Sequence, residues 1–297
     1  MRGLPYLPYD ESAAVPNVVV DGSPNSATRL TLSHWPGSPT PGDLRDDLSA
    51  QIAFHALARP ELFDGIEAVT NNHFDQDGLA GVFTLWRPDL ALPRRDLLID
   101  VARAGDFGTF QNRDAARIAT AVLTFDGYEP ALEHFVDLLD HPHRFRELWG
   151  PEDDELAAGL LAIETGRVAM HEHPEIDLVV FTTPLDLHPM ALYRSSNCLR
   201  VATLRGRRYR LECRYESWVM LMSRVVAPRP DLRLLAAELD ALEPGGARWT
   251  AGAPSDLTPA LELAEGHESG IASGEWIAAV RRFLSTAPAA WDPFSPR

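Results

Sequence analysis

Between Thr70 and Gly81 the chain reads TNNHFDQDGLAG, with a histidine and two aspartates at alternate positions, a glycine, and then an apolar run. His73, Asp75 and Asp77 therefore crowd three ionisable side chains into one turn. Such groups repel or stay unpaired unless a positive charge sits between them. A divalent cation meets that need. Two further residues of the same chemical kind close apolar stretches upstream: Asp21 ends VVVD, and His34 follows LTLS. Carboxylates joined by one or two imidazoles suit Mn²⁺ or Mg²⁺ better than a structural zinc, which prefers thiolates. Two such ions about 4 Å apart activate a water and clamp a phosphoryl oxygen.

These residues need elements that bring them together. GIEAVT reads as a short strand with Ile66, Ala68 and Thr70 on one face, and LAGVFTLW as the start of a buried helix. NVVVDG and LTLSHWPG read as two more buried strands. Ligands in an open α/β sheet collect beyond the carboxyl ends of the strands, so parallel neighbours would make the five side chains converge. TPGDLRDDLSAQIAFHAL carries helix-start signals, with Thr40 as N-cap, Pro41 at the first position, and Leu44, Leu48 and Ile52 four apart. Pro151 with the three acids after it reads as the start of a connecting helix. From Ile176 the pattern turns β-rich, in IDLVVFTTP, LRVATLRGRRYRLECRY and LTPALEL, and GEWIAAVRRFL closes the chain as a helix. In RRYRLECRY, Arg208, Arg210, Glu212 and Arg214 alternate with apolar residues, the mark of one wet and one buried strand face. Only secondarily does the wet face read as an anion-binding ridge. His171 and His173 in AMHEHPE read as surface residues.

At 297 residues the chain has room for two domains. Its 45% apolar and 24% charged content is that of a globular protein. No run approaches the roughly 20 apolar residues of a membrane span, and MRGLPYLPYDES lacks a signal peptide's apolar core. Two cysteines, Cys198 and Cys213, are too few for a disulfide framework, which points to a reduced, cytoplasmic setting. The net charge of −16 argues against a long nucleic acid as partner while leaving room for a small anion in a local pocket. All 27 basic side chains are arginine, which removes lysine Schiff bases and a Walker-type P-loop.

NHFDQDGLAG resembles the first motif of the DHH phosphoesterase superfamily, an H/D-x-D-x-D-G turn that supplies metal ligands. ARAGDFGTFQN resembles that family's last motif, which assigns Asp106 as a ligand by analogy. The family normally places a lone Asp and an Asp-His-His between these two motifs, and the stretch from Asp77 to Asp106 is too short to hold them. VVVDG resembles the lone-Asp strand and LTLSHWPGSPTP the Asp-His-His strand, both upstream, so the motif order looks circularly permuted. Ser33-His34-Trp35 keeps only the middle member, the metal-binding histidine. An unpermuted alternative uses Asp100 with Asp140, His141 and His143. More faintly, the second half resembles the smaller domain (DHHA1-like) that follows the DHH domain, in which a glycine-rich loop and an arginine hold the far phosphate or base. EGHESGIASG then nominates His267 and Ser269.

The expectation is an α/β protein: an arm over 1–15, a parallel-sheet DHH-like domain over 16–150, a helical connector over 151–175, and a smaller, β-rich α+β substrate domain over 176–297. Asp21, His34, His73, Asp75, Asp77 and Asp106 are the expected ligands of Mn²⁺ or Mg²⁺, with His34 and Asp77 also catalytic. Arg208, His267 and Ser269 are the expected substrate contacts. The expected activity is hydrolysis of a small phosphodiester or phosphoanhydride by metal-activated water, without a membrane or a long nucleic acid as partner. A homodimer is compatible with this reading. The second function read from the broken triplet is a nucleotide- or phosphate-binding protein of weakened catalysis on the same fold.

Overall fold

The computed structural model describes residues 2–244, 246–264 and 267–296. The chain divides into two compact units. The first comprises Met1–Asp154 with Val219–Val225, and the second Glu155–Trp218 with Val226–Arg297. Helix and strand are mixed in both. No helix among the described residues is long and apolar enough to cross a membrane.

The first unit is built on three parallel strands, β1 (Asn17–Val20), β2 (Thr28–Leu32) and β3 (Ala68–Thr70), in the order β2-β1-β3. Val18, Val19 and Val20 are wholly buried, as a central parallel strand covered on both faces requires. Each such side chain contributes roughly 1.5–3 kcal/mol by leaving water. The longer helices are α1 (Ser49–Leu57), α2 (Gln76–Trp86), α3 (Arg95–Phe107), α4 (Arg113–Val122) and α5 (Tyr128–Asp140). Helix α2 is buried from Gln76 to Leu85. Its glycine at position 81 lets it lie directly on β1, because a Cβ there would collide with the Val20 side chain.

Three expectations for this half need correction. The segment expected as a surface arm partly joins the sheet: Leu7 N–H bonds Val69 O, Val69 N–H bonds Pro5 O, and Tyr6 bridges Val69. Helix α1 begins at Ser49 rather than after Thr40. The Thr40 hydroxyl is already engaged by the Ser33 backbone, donating to its O at 2.7 Å and accepting from its N–H at 2.8 Å. Thr40 thus closes a loop, and Leu44 and Leu48 are buried from irregular chain. The connecting helix, α6 (Arg146–Glu164), starts before Pro151 and runs through it. A single turn at Pro142–Phe145 feeds straight into it, and the Trp149 indole pins that turn by donating to Pro142 O.

The second unit carries a six-stranded sheet in the order β4-β5-β6-β7-β9-β8. The strands are β4 (Ala169–His173), β5 (Leu178–Thr182), β6 (Arg200–Arg205), β7 (Arg208–Cys213), β8 (Trp249–Ala251) and β9 (Ala260–Leu263). Only β5 and β6 run parallel, and their crossover contains helix α7 (Pro189–Ser195). The strands therefore start at Ala169, ahead of the expected Ile176. Edge strand β4 exposes four of its five residues and carries little apolar signal. His173, expected at the surface, is buried at the end of that strand. One sheet face packs Leu204, Tyr209, Leu211 and Leu261 against α8 (Leu232–Leu242) and α9 (Ser273–Thr286). On the other face, Val179, Phe181 and Val201 meet Ala162 and Leu192. Beyond that cover the same face carries Arg205, Arg208, Arg210 and Glu212. Arg214, expected on this wet face, is buried instead and ion-paired with Glu216.

Candidate metal centre

The carboxyl ends of β1, β2 and β3 deliver the site. Asp21 follows β1 with φ 49°, a left-handed conformation that a short polar side chain tolerates. His34 follows β2. Its Nδ1 lies 2.5 Å from Asp47 O. A carbonyl only accepts, so Nδ1 carries the proton and Nε2 is left to face the acids. Nε2 lies 3.4 Å from Asp21 Oδ1, 3.4 Å from Asp106 Oδ2 and 3.8 Å from Asp77 Oδ2. An imidazole that donates one nitrogen to a backbone carbonyl and points the other at carboxylates has the second-shell arrangement of a metal-ligating histidine.

The turn after β3 adds the other half. Asp75 caps α2 by accepting from Gly78 N–H at 2.8 Å. Its other oxygen meets His73 Nε2 at 2.8 Å, and His73 Nε2 also reaches Asp21 Oδ2 at 3.2 Å. Asp77 lies inside the first turn of α2 and turns away from Asp75. Its two oxygens accept the Ser49 and Ala50 amides at the start of α1, both at 2.7 Å. Asp77 thus supplies from another element the cap that α1 lacks, since Leu48 at its N-cap makes no side-chain bond. The Ser49 hydroxyl donates to Asp21 Oδ1 at 2.8 Å.

The acids do not converge on one point. Two groups result, Asp21–His34–Asp77 and Asp21–His73–Asp75, each with ligand atoms within 4.8 Å of one another. Each can hold a metal ion, and Asp21 belongs to both. The first group is fully enclosed. The second is graded toward solvent, with His73 and Asp75 side chains 31% and 26% exposed. Asp106, in the last turn of α3, approaches the first group through His34, and the Trp35 ring lies against His73.

The protonation pattern follows from this crowding. Burial alone pushes the Asp21 carboxyl up, but hydrogen bonds and charge from His34 and His73 outweigh it and hold it well below the usual range. Burial lowers His34 and His73, yet Asp21 with Asp77 raises the first to about 9, and Asp21 with Asp75 raises the second to about 10. Desolvation and then the Asp21 charge push Asp77 up to about 7, and Asp75 in the same direction. The two imidazoles thus take the place a divalent cation would fill, each as a monocation among acids. This donor set fits a hard or borderline divalent ion.

The structure keeps the residues of the unpermuted alternative out of both groups. Asp100 accepts the Gln111 and Asn112 amides, and Asp140 forms a two-bond pair with Arg94. Of the expected substrate contacts, Arg208 and His267 line one cleft of the second unit. Ser269 does not. It is 1% exposed, and its hydroxyl donates to Glu243 at 2.8 Å, a structural role. Ser49, Ala50 and Asp47 escaped the sequence reading. Their signal lies in DDLSAQ, which the pattern places in the middle of a helix and the structure at its beginning.

No curated protein and no solved structure matches the chain. A family described as a family of unknown function (DUF6687) matches residues 2–127 and 121–294, two overlapping stretches that take in nearly the whole sequence. By that match the chain belongs to the family of unknown function DUF6687.

Proposed function

We propose that the first unit is a divalent-metal phosphohydrolase centre acting on a small phosphodiester or phosphoanhydride, with Mn²⁺ or Mg²⁺ as its ion. The observation that carries this reading is Asp21, one carboxylate shared by two Asp/His groups at the ends of adjacent parallel strands. A shared carboxylate between two ligand sets is what a pair of ions in an in-line displacement needs. The resemblance of NHFDQDGLAG, VVVDG and LTLSHW to DHH phosphoesterase motifs supports the same class, in permuted order.

A divalent ion at such a site supplies Lewis acidity toward phosphoryl oxygen and lowers the pKa of a coordinated water. The chain's own residues set up the rest. Asp21, His34 and Asp77 hold the enclosed position, and Asp21, His73 and Asp75 the half-exposed one. The second position is therefore where a substrate from solvent is met. Asp47 fixes the His34 tautomer, and the Ser49 hydroxyl orients Asp21. Trp35 against His73 offers an aromatic edge beside the open position.

The test strips the protein with a chelator, reloads it with Mn²⁺ or Mg²⁺, and follows a chromogenic phosphodiester and pyrophosphate. Metal-dependent turnover that disappears in Asp77→Asn supports the proposal. Turnover indifferent to metal and to Asp77 overturns it. One observation favours a second reading, a phosphate-binding protein without turnover: Trp35 stands where the DHH triplet it resembles has its last histidine. Stoichiometric metal and phosphate binding with no product would select it.

A further inference from the structure

The face of the second unit's sheet that α7 leaves uncovered forms a cleft of about 520 Å³, within the roughly 300–1,000 Å³ of small-molecule sites. Its lining sets three arginines, Arg205, Arg208 and Arg210, among three acids, Asp186, Glu212 and Glu262, in a chain of net charge −16. Arg205 and Arg208 stand directly opposite each other across β6 and β7, and Arg210 lies two residues on from Arg208 on the same face. Like charges facing across a strand pair cost a sheet stability, so the arrangement calls for an anion between them. The carboxylate of Asp186 meets Arg205 at 2.6 Å, but it is 92% exposed and screened by water. Among the described residues, no carboxylate pairs with Arg208.

Arg210 is held differently. Its Nε donates to Glu212 at 3.0 Å and its far end to Glu262 at 2.5 Å, while the Tyr193 hydroxyl donates to Glu212 at 2.5 Å. This network locks the Tyr193 ring into the wall beside Leu187 and Leu192. The cleft thus has a preformed aromatic and aliphatic side and, next to it, the Arg208 guanidinium, which no carboxylate of the described residues meets, facing Arg205, whose partner Asp186 is exposed and displaceable. A guanidinium fork matches phosphate and carboxylate alike.

We propose that this cleft binds a small organic anion, its phosphate or carboxylate head between Arg205 and Arg208 and its flat or apolar body against Leu187, Leu192 and Tyr193. The inference does not rest on the metal centre. The test is calorimetric titration of the full chain, kept in chelator, with adenosine 5′-monophosphate, indole-3-carboxylate and ribose 5-phosphate. At least one of the two aromatic anions should bind with a Kd below about 1 mM, and the tighter one identifies the head group. Ribose 5-phosphate, lacking the flat body, should bind at least tenfold more weakly. Arg208→Gln, at an exposed position, should weaken the aromatic anion tenfold or more, and Asp77→Asn should leave it unchanged. Absence of binding by both aromatic anions overturns the proposal, as does binding that ignores Arg208→Gln or disappears in Asp77→Asn. None of those results bears on metal-dependent turnover in the first unit.

Discussion

On the proposed reading, metal binding to this site should expel protons, and their number reports how many ions enter. Free of metal, His34 and His73 hold their protons up to about 9 and about 10. Ligation requires neutral imidazole. An ion entering Asp21–His34–Asp77 displaces the His34 proton, and one entering Asp21–His73–Asp75 displaces the His73 proton. Asp77, at about 7, adds a fraction near neutrality. For His34 the rise from 6.5 to about 9 means that the pocket favours the cation by roughly 3 kcal/mol, which a metal must offset. Apparent affinity should therefore climb about tenfold per pH unit for each histidine displaced, and level off once the histidine titrates. The assay is calorimetric titration of Mn²⁺ into stripped protein in buffers of different ionisation enthalpy, at about pH 7.5. One ion should release a little over one proton, and two ions a little over two. Binding without proton release, or an affinity that stays flat from pH 7 to 9, would refute the assignment of these histidines as ligands.

Other outcomes follow from the same geometry. Stripped of metal, the protein should lose thermal stability as pH rises from 6.5 through about 10. His34 and His73 hold protons more tightly folded than unfolded, so their contribution is fully present below 6.5 and lost as pH rises to about 9 and about 10, whereas the same loss for Asp77 falls lower, between 3.8 and about 7; melting curves with and without Mn²⁺ check this. Asp77→Asn should abolish high-affinity metal binding and also cost about 1–3 kcal/mol of unfolding free energy, because one α1 amide then faces an NH₂ group; chemical denaturation measures it. Gly78→Ala should weaken metal binding with little loss of helix content, since its Cβ would press on the Asn71 amide and on Tyr128 Oη at 2.6 Å, distorting the His73–Asp75 turn. His141→Ala, outside both ligand groups, should leave metal affinity within a factor of two by the same titration.

What was legible in the sequence was local. Val18–Val20 and Leu30–Leu32 announce buried strands by composition, and the apolar run LAGVFTLW after Asp77 announces a buried helix. The polar residues at their ends could therefore be named in advance. The division of the acids into two groups was not legible, because it depends on Asp77 reaching across to the amides of α1, a tertiary choice. The start of α1 was misplaced for the same reason. Its cap comes from Asp77, so no capping residue stands before Ser49, while Thr40 mimics one. Strand β4 escaped because an exposed edge needs no apolar alternation, and Arg214 misled because its charge is met by buried Glu216 and by carbonyls.

The return of Val219–Val225 into the first unit has a consequence for how this protein comes into being. Met220 N–H bonds His34 O, and the Met222 and Ser223 amides both bond Asp47, the residue whose carbonyl sets the His34 tautomer. Those partners lie 175 and 176 residues apart. On the ribosome the three parallel strands and their helices emerge first, yet the backing of His34 is completed only after β7 has been synthesised. The first unit must therefore wait, with the Asp47 carboxylate still lacking the Met222 and Ser223 amides, for a strap supplied later in the chain. A chain released at Asp154 would carry every ligand and still lack that support, and the two units would be expected to mature together.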